Sequence, residues 1–247
     1  MTFKKSNEKT HVCIGINNSI SLLESNRFFI MSVDIMEGSL AHKEKKIIGS
    51  QYFNHISILK KTDFYNSYPG KRTQGIVVKF KGKLTLDSLP RYDYPGDICI
   101  LALDRIEDPQ NLGQIIRTAE CAGIDGIVIP RHNSTTVTET VIQVSQGAFV
   151  NIPIYEITNL NQLFLKLKKN GFWIIGIENS VDAKQWHEIN YRDKTVIVVG
   201  SEGYGIRKKI LENCDFVSTI PMQGKSSSLN VSATVSAILF ERLRQIQ

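Results

Sequence analysis

Thr195-Val196-Ile197-Val198-Val199-Gly200-Ser201-Glu202-Gly203-Tyr204-Gly205 runs from an apolar, β-branched segment straight into a loop with glycines at 200, 203 and 205. The run reads as a buried strand, and the loop exposes backbone N–H and C=O groups at its carboxyl end, where open α/β sheets bind ligands. Strand-like runs at Ile98–Leu103, Gly126–Ile129, Ile152–Tyr155, Phe172–Ile177 and Phe216–Ile220 alternate with helix-period segments. Leu160, Leu163, Phe164 and Leu167 form one such apolar stripe, and Val231, Val235, Ile238 and Leu239 another. The expected fold class is therefore α/β, a parallel sheet with helices on both faces. The glycine order GxxGxG is not the dinucleotide fingerprint GxGxxG, which argues against a nucleotide-dependent oxidoreductase.

Two further segments carry chemistry-bearing residues. Asp108-Pro109 opens a helix, with Asp capping free N–H groups and Pro losing no bond at the first helical position. On that helix Leu112, Ile115, Ile116, Ala119 and Ala122 form the buried stripe, so Arg117 points away from the core. Gly113, one turn earlier, is expected to leave bare surface beneath the guanidinium. The other segment, Ile220-Pro221-Met222-Gln223-Gly224-Lys225-Ser226-Ser227-Ser228-Leu229-Asn230-Val231, fails as a phosphate-binding P-loop because Thr219 stands where that motif needs glycine. It remains a hydroxyl-rich helix entrance, with Ser228 the candidate cap and Asn230 in the first turn.

The front of the chain is organised differently. Residues 1–80 carry 12 Lys and Arg against 6 Asp and Glu, while 81–247 carry 18 of each. A basic module on a neutral one suits a polyanion-gripping part joined to a part with another task. Ile20, Leu22, Leu23 and Phe28–Met31 read as a helix running into a strand, with further strands at Ile56–Leu59 and Ile76–Phe80. The expected division is a small basic α/β domain at 1–80, a linker at 81–96 around Pro90, Pro95 and Gly96, and a larger α/β domain at 97–247. Cys13, Cys99, Cys121 and Cys214 are too dispersed for a zinc site or a disulfide framework, so no metal is expected. No apolar run reaches the roughly 20 residues of a membrane span, and the polar start at Met1–Thr10 points to a cytoplasmic location.

Taken together, the DPxNxGxxxRTA run from Asp108, the GSEGxG loop from Gly200 and the IPMxGxxxSLNVSxA run from Ile220 resemble the three signature motifs of the SpoU (TrmH-type) branch of the SPOUT methyltransferases. Gly15-Ile16-Asn17 and Thr73-Gln74-Gly75-Ile76 resemble the N-terminal substrate-binding domain of RlmB-type enzymes, which methylate a guanosine 2′-hydroxyl in large-subunit ribosomal RNA. The resemblance implies a C-terminal trefoil knot, a homodimer formed through the catalytic domain, and S-adenosylmethionine as cofactor. It assigns Gly200, Ser201, Glu202, Gly203, Gly205, Ile220, Met222, Ser228 and Leu229 to the cofactor pocket. Asn111, Arg117, Glu202, Ser228 and Asn230 match the family's active-site polar residues. Ser145, Gly147 and Ala148 fit the pattern, whereas Gln143 and Val150 stand where a lysine and a glutamate are expected.

The implied reaction sets requirements for these residues. A ribose hydroxyl must lose its proton while attacking a sulfonium methyl in line, so positioning dominates. The positive charge vanishes as the methyl leaves, so a carboxylate on the sulfur would favour the ground state. Apolar groups and backbone carbonyls are expected around the sulfonium, with Glu202 held off it. A guanidinium is a poor base; Arg117 is better suited to clamp the target phosphate and stabilise the developing alkoxide. Two competing readings are a transfer-RNA ribose methyltransferase of TrmH type, against which the N-terminal module argues, and an RNA-binding protein that keeps the fold without catalysis.

Overall fold

The computed structural model describes residues 9–179 and 183–247, and within it the chain forms two units. One takes the chain up to Leu84 together with Ile142–Asn151; the other takes Thr85–Val141 and Ile152–Gln247.

The first unit is a mixed sheet with helical connections. Its elements are β1 (Thr10–Ile14), α1 (Ile16–Glu24), β2 (Phe29–Met36), α2 (Leu40–Lys43), α3 (Lys45–Ile48), β3 (Ile56–Leu59), α4 (Lys61–Ser67) and β4 (Ile76–Lys81). The strand order is β1-β4-β2-β3, antiparallel except for the β2–β3 pair. Val33, Ile35, Val77 and Phe80 are fully buried, and Phe64 of α4 packs with Tyr68 and Val77. The returning stretch is fastened through its backbone: Asn18 Nδ2 donates to the Gln143 carbonyl at 3.2 Å, and Arg27 Nη1 to the Val150 carbonyl at 3.3 Å. At the two positions where the sequence departs from the family pattern, the main chain makes these bonds, and a carbonyl is present whatever the side chain.

The second unit holds the parallel sheet. Its elements are β5 (Ile98–Asp104), α5 (Pro109–Cys121), β6 (Gly126–Pro130), α6 (Glu139–Val144, which leads into the returning stretch), β7 (Ile154–Ile157), α7 (Leu160–Lys169), β8 (Trp173–Ile177), β9 (Lys184–Gln185), β10 (Lys194–Gly200), α8 (Lys208–Leu211), β11 (Phe216–Thr219) and α9 (Val231–Ile246). The order is β7-β6-β5-β10-β8-β11-β9, and every pairing is parallel. Buried on both faces, these strands carry nearly unbroken apolar runs. Ile98, Ile100, Ala102, Val196 and Val198 meet Leu160, Phe164 and Leu167 of α7 and Ile210 of α8. α5 and α9 pack on each other and against β6 and β10 respectively.

The stretch 81–96, expected as a linker, is divided between the units: 81–84 belong to the first and 85–96 to this one. Leu86 accepts from the Glu156 amide and donates to the Ile154 carbonyl, both at 2.8 Å. Tyr92 is buried in the core against Phe172. β7 starts at Ile154 rather than Ile152, because Pro153 has no N–H to give the ladder.

Candidate active site

β10 delivers its glycine loop at the carboxyl edge of the sheet, and two glycines make the loop possible. A Cβ on Gly200 would lie 2.0 Å from the Gly205 carbonyl carbon and 2.3 Å from the Ile206 nitrogen, both rigid backbone. Gly205 sits at φ 62°, a left-handed conformation, and its own Cβ would strike the Glu178 carboxylate. The loop folds back on itself, with Gly205 N donating to Ser201 O at 2.8 Å. Glu178, just past the end of β8, locks it by accepting from Ile206 N at 2.7 Å.

Beside this loop lies a cleft of about 430 Å³. Gly200, Ser201, Glu202, Gly203, Gly205, Ile220, Met222, Ser228 and Leu229, the positions that the family resemblance assigns to a cofactor, all line it. Ile177 and Val199 add apolar wall, while Asn179 ties the facing loop by donating from Nδ2 to Ser227 O at 3.2 Å. The mixture of backbone amides, hydroxyls and aliphatic surface suits a ligand that is part apolar and part polar.

At one end of the cleft three side chains from three elements converge. Asn111 Nδ2 donates to Glu202 Oε1 at 3.2 Å, and Asn230 Nδ2 donates to Asn111 Oδ1 at 3.0 Å and to Glu202 Oε1 at 2.5 Å. Val231 N adds a longer contact of 3.4 Å to the same carboxylate oxygen. Asn230 also accepts from Ser232 N at 2.9 Å and is the N-cap of α9. The cap expected at Ser228 is thus two residues later, because asparagine presents an acceptor to the N2 amide while its NH2 remains free for the cluster. Asp108 and Pro109 cap and open α5 as expected, with Asp108 Oδ1 accepting from Gln110 N at 2.9 Å.

Arg117 is exposed on α5, away from the helix's buried stripe. It does not join the Asn111–Glu202–Asn230 cluster: six residues place it about 9 Å along the axis and about 120° round from Asn111. Gly113 is buried, so the bare surface expected beneath Arg117 is not there. Ser228 lines the cleft without entering the cluster.

Several site residues carried no signal in the sequence. Glu178 is one. Asp104 is another, fully buried at the end of β5 and gripped by Arg207, whose backbone N donates at 2.9 Å and whose Nη2 stands 2.7 Å from Oδ1. A smaller recess of about 210 Å³ adjoins the cleft across Ser201, Glu202 and Gly203, walled by Asn111, Asp108, Glu107 and Arg105. Arg105 is left-handed at φ 61°, and its Nε is buried without a partner among the described residues. Tyr204, 86% exposed, stands where cleft and recess meet.

Known proteins resemble this chain over the same region. Residues 98–240 match the model of the SpoU rRNA Methylase family. A Staphylococcus aureus protein named for the TrmH family of tRNA/rRNA methyltransferases is 41% identical over 150 residues, 61% of this chain and 60% of the relative. The Pseudomonas aeruginosa 23S rRNA (guanosine-2′-O-)-methyltransferase RlmB is 42% identical over 146 residues, covering 59% of this chain and 58% of that protein. The matched stretch thus spans about three fifths of these relatives. In fold, the chain superposes on the SpoU methyltransferase AviRb from Streptomyces viridochromogenes, crystallised with AdoMet, with a TM-score of 0.78 at 19% identity over 96% of this chain and 90% of that one.

Proposed function

The chain belongs to the SpoU rRNA methylase family, and from that membership we propose that it transfers a methyl group from S-adenosylmethionine to a ribose 2′-hydroxyl of RNA. The observation that carries the reading is the cluster of Asn111, Glu202 and Asn230 at the mouth of the glycine-cradled cleft. The acceptor is a guanosine of large-subunit ribosomal RNA, a choice supported by the 42% identity to RlmB.

The cleft fits the cofactor in size, lying within the roughly 300–1,000 Å³ of small-molecule sites, and in chemistry, with backbone groups and aliphatic side chains rather than a row of charges. When bound there, S-adenosylmethionine supplies an electrophilic methyl on a sulfonium. Gly200 and Gly205 let the loop fold back on itself and so give the cleft its shape. Ile220, Met222 and Leu229 exclude water, while Ser201, Gly203 and Ser228 supply polar contacts. Glu202 is held by two asparagine amides, which supports a carboxylate that orders the site rather than one pressed on the sulfonium.

The adjoining recess is our seat for the acceptor nucleotide, with Asn111 and Asn230 ordering its hydroxyl through Glu202. Arg117 clamps the target phosphate and stabilises the developing alkoxide from outside the cluster. The basic N-terminal unit grips RNA phosphates, and a trefoil knot and a homodimer through the catalytic domain complete the proposal. The strand order supports a threaded chain: β10 inserts between β5 and β8 before β11 crosses to the far side of β8.

The test is a split between binding and transfer. Arg117→Ala abolishes methyl transfer to RNA while leaving S-adenosylmethionine affinity within about twofold. A variant whose cofactor affinity falls as far as its transfer rate overturns the assignment.

A further inference from the structure

All seven strands of the second unit run in one direction, so their amino ends form a single edge opposite the cleft. At that edge lies a second groove of about 340 Å³. Trp173, the first residue of β8, is 52% exposed there, and its ring lies 5.6 Å from that of Phe216, the first residue of β11. Tryptophan seldom presents so much ring to water without a use for it.

Cations flank the aromatic pair. Lys184, which opens β9, sits over the Phe216 ring with Nζ 5.6 Å from its centroid. Arg192 also lines the groove, and neither cation is in an ion pair among the described residues. Among the described residues the groove's carboxylate is Glu188, and it is drawn to the backbone, where Oε2 accepts from Gln185 N at 3.1 Å.

The wall that carries Arg192 is fixed in advance. Gln245 accepts from Tyr191 N at 2.9 Å and donates to the Ile189 carbonyl at 3.0 Å. Asn190 Oδ1 accepts from Arg192 N at 3.0 Å, and Asp97 accepts from Asp193 N at 2.6 Å. A half-exposed indole face beside two cations that have no ion pair among the described residues matches a flat π-face carrying negative charge at its edge. Bases of unpaired RNA stack on such platforms whatever their identity, with the phosphates meeting the cations.

From this geometry we infer that the Trp173–Phe216 groove is a second RNA contact, taking an unpaired nucleotide of the substrate with its base on Trp173 and its phosphate between Lys184 and Arg192. The inference rests on the reading of the chain as an RNA-modifying enzyme. It adds an anchor at the far edge of the sheet from the reacting centre, selective for single-stranded segments rather than for sequence.

The molecule carries its own reporter, since Trp173 and Trp186 are the two tryptophans. In a Trp186→Phe background, titration with a single-stranded oligoribonucleotide quenches the remaining fluorescence, and added salt weakens the binding. Against the unmodified protein, Trp173→Ala weakens RNA binding about tenfold, the order of one stacked base, and Trp173→Phe recovers most of it. Lys184→Ala with Arg192→Ala lowers the salt slope by about one, as expected for one lost phosphate contact. Cofactor affinity stays unchanged in all of these.

Wild-type RNA affinity and salt slope in Trp173→Ala overturn the groove while leaving the methyltransferase reading intact. So does a change of oligomeric state in that variant with RNA affinity preserved, which makes the face a contact between copies of the chain. Absence of RNA binding by the unmodified protein brings down the functional reading itself, and the groove with it.

Discussion

Asn111 and Glu202 lie 91 residues apart in the chain and 3.2 Å apart in the fold, with the amide of one donating to the carboxylate of the other. The contact exists because α5 leaves β5 and the glycine loop leaves β10 at the same edge of the sheet, and β5 and β10 are hydrogen-bonded neighbours. Asn230 closes the triangle from the start of α9.

Asn230 therefore has two separable tasks. Asn230→Ala removes the helix cap and costs about 1 kcal/mol, a fall of about 2–4 °C in Tm for a chain of this size. Asn230→Ser keeps a capping oxygen but has no amide for Glu202. Thermal melts should find the serine variant near wild type and the alanine variant below it, while methyl transfer falls at least tenfold in both. Serine at full activity would remove Asn230 from the site.

Gly200 tests the loop. Because an added Cβ meets the Gly205 and Ile206 backbone rather than a movable side chain, Gly200→Ala must open the turn. Calorimetric titration with S-adenosylmethionine should register a loss of more than tenfold, or more than about 1.4 kcal/mol. Unchanged affinity would mean that the turn lies outside the cofactor's contacts.

Acid sensitivity is traceable to α9. Glu241, engaged by Arg244 at 2.8 Å and by Gln245, has its carboxyl lowered from 4.5 to about 2, first by the Arg244 hydrogen bond. Since the folded value lies below the unfolded one, the stabilisation is complete above about pH 4.5 and disappears as the pH falls towards 2. Melting curves from pH 6 to 2 should fall less steeply for Glu241→Gln than for wild type; parallel curves would refute the assignment.

The thiols differ in the same way. Burial pushes Cys99 up to about 11 and Cys13 and Cys214 up to about 12, whereas Cys121 is exposed. The thiolate is the reactive form, so a disulfide reagent at pH 8 should titrate one thiol rapidly in the native protein and four after denaturation. Rapid reaction of more than one native thiol would contradict the burial of Cys13 and Cys99 and the raised thiol of partly buried Cys214.

Much of this was legible in the sequence where a local pattern coincided with the final environment. The parallel strands are apolar runs because both faces are covered, and the outward direction of Arg117 follows from helical period alone. Long-range contacts were not legible. β1, Thr-His-Val-Cys-Ile, becomes a strand through pairing with β4 nearly seventy residues later. α4 buries a single phenylalanine, too little to make a period. Residues 142–151 belong to the first unit through contacts with partners far away in sequence, Phe149 with Phe28 and Phe80 and two carbonyls with Asn18 and Arg27, which no local pattern reports. The helix geometry identified Arg117's direction but not the burial of Gly113, which depends on neighbours outside the helix.

The central claim is tested most directly by incubating the protein with labelled S-adenosylmethionine and separated ribosomal and transfer RNA, then digesting each RNA and identifying the labelled nucleoside. The account predicts 2′-O-methylguanosine in large-subunit ribosomal RNA. A base-methylated nucleoside, or label confined to transfer RNA, would contradict it.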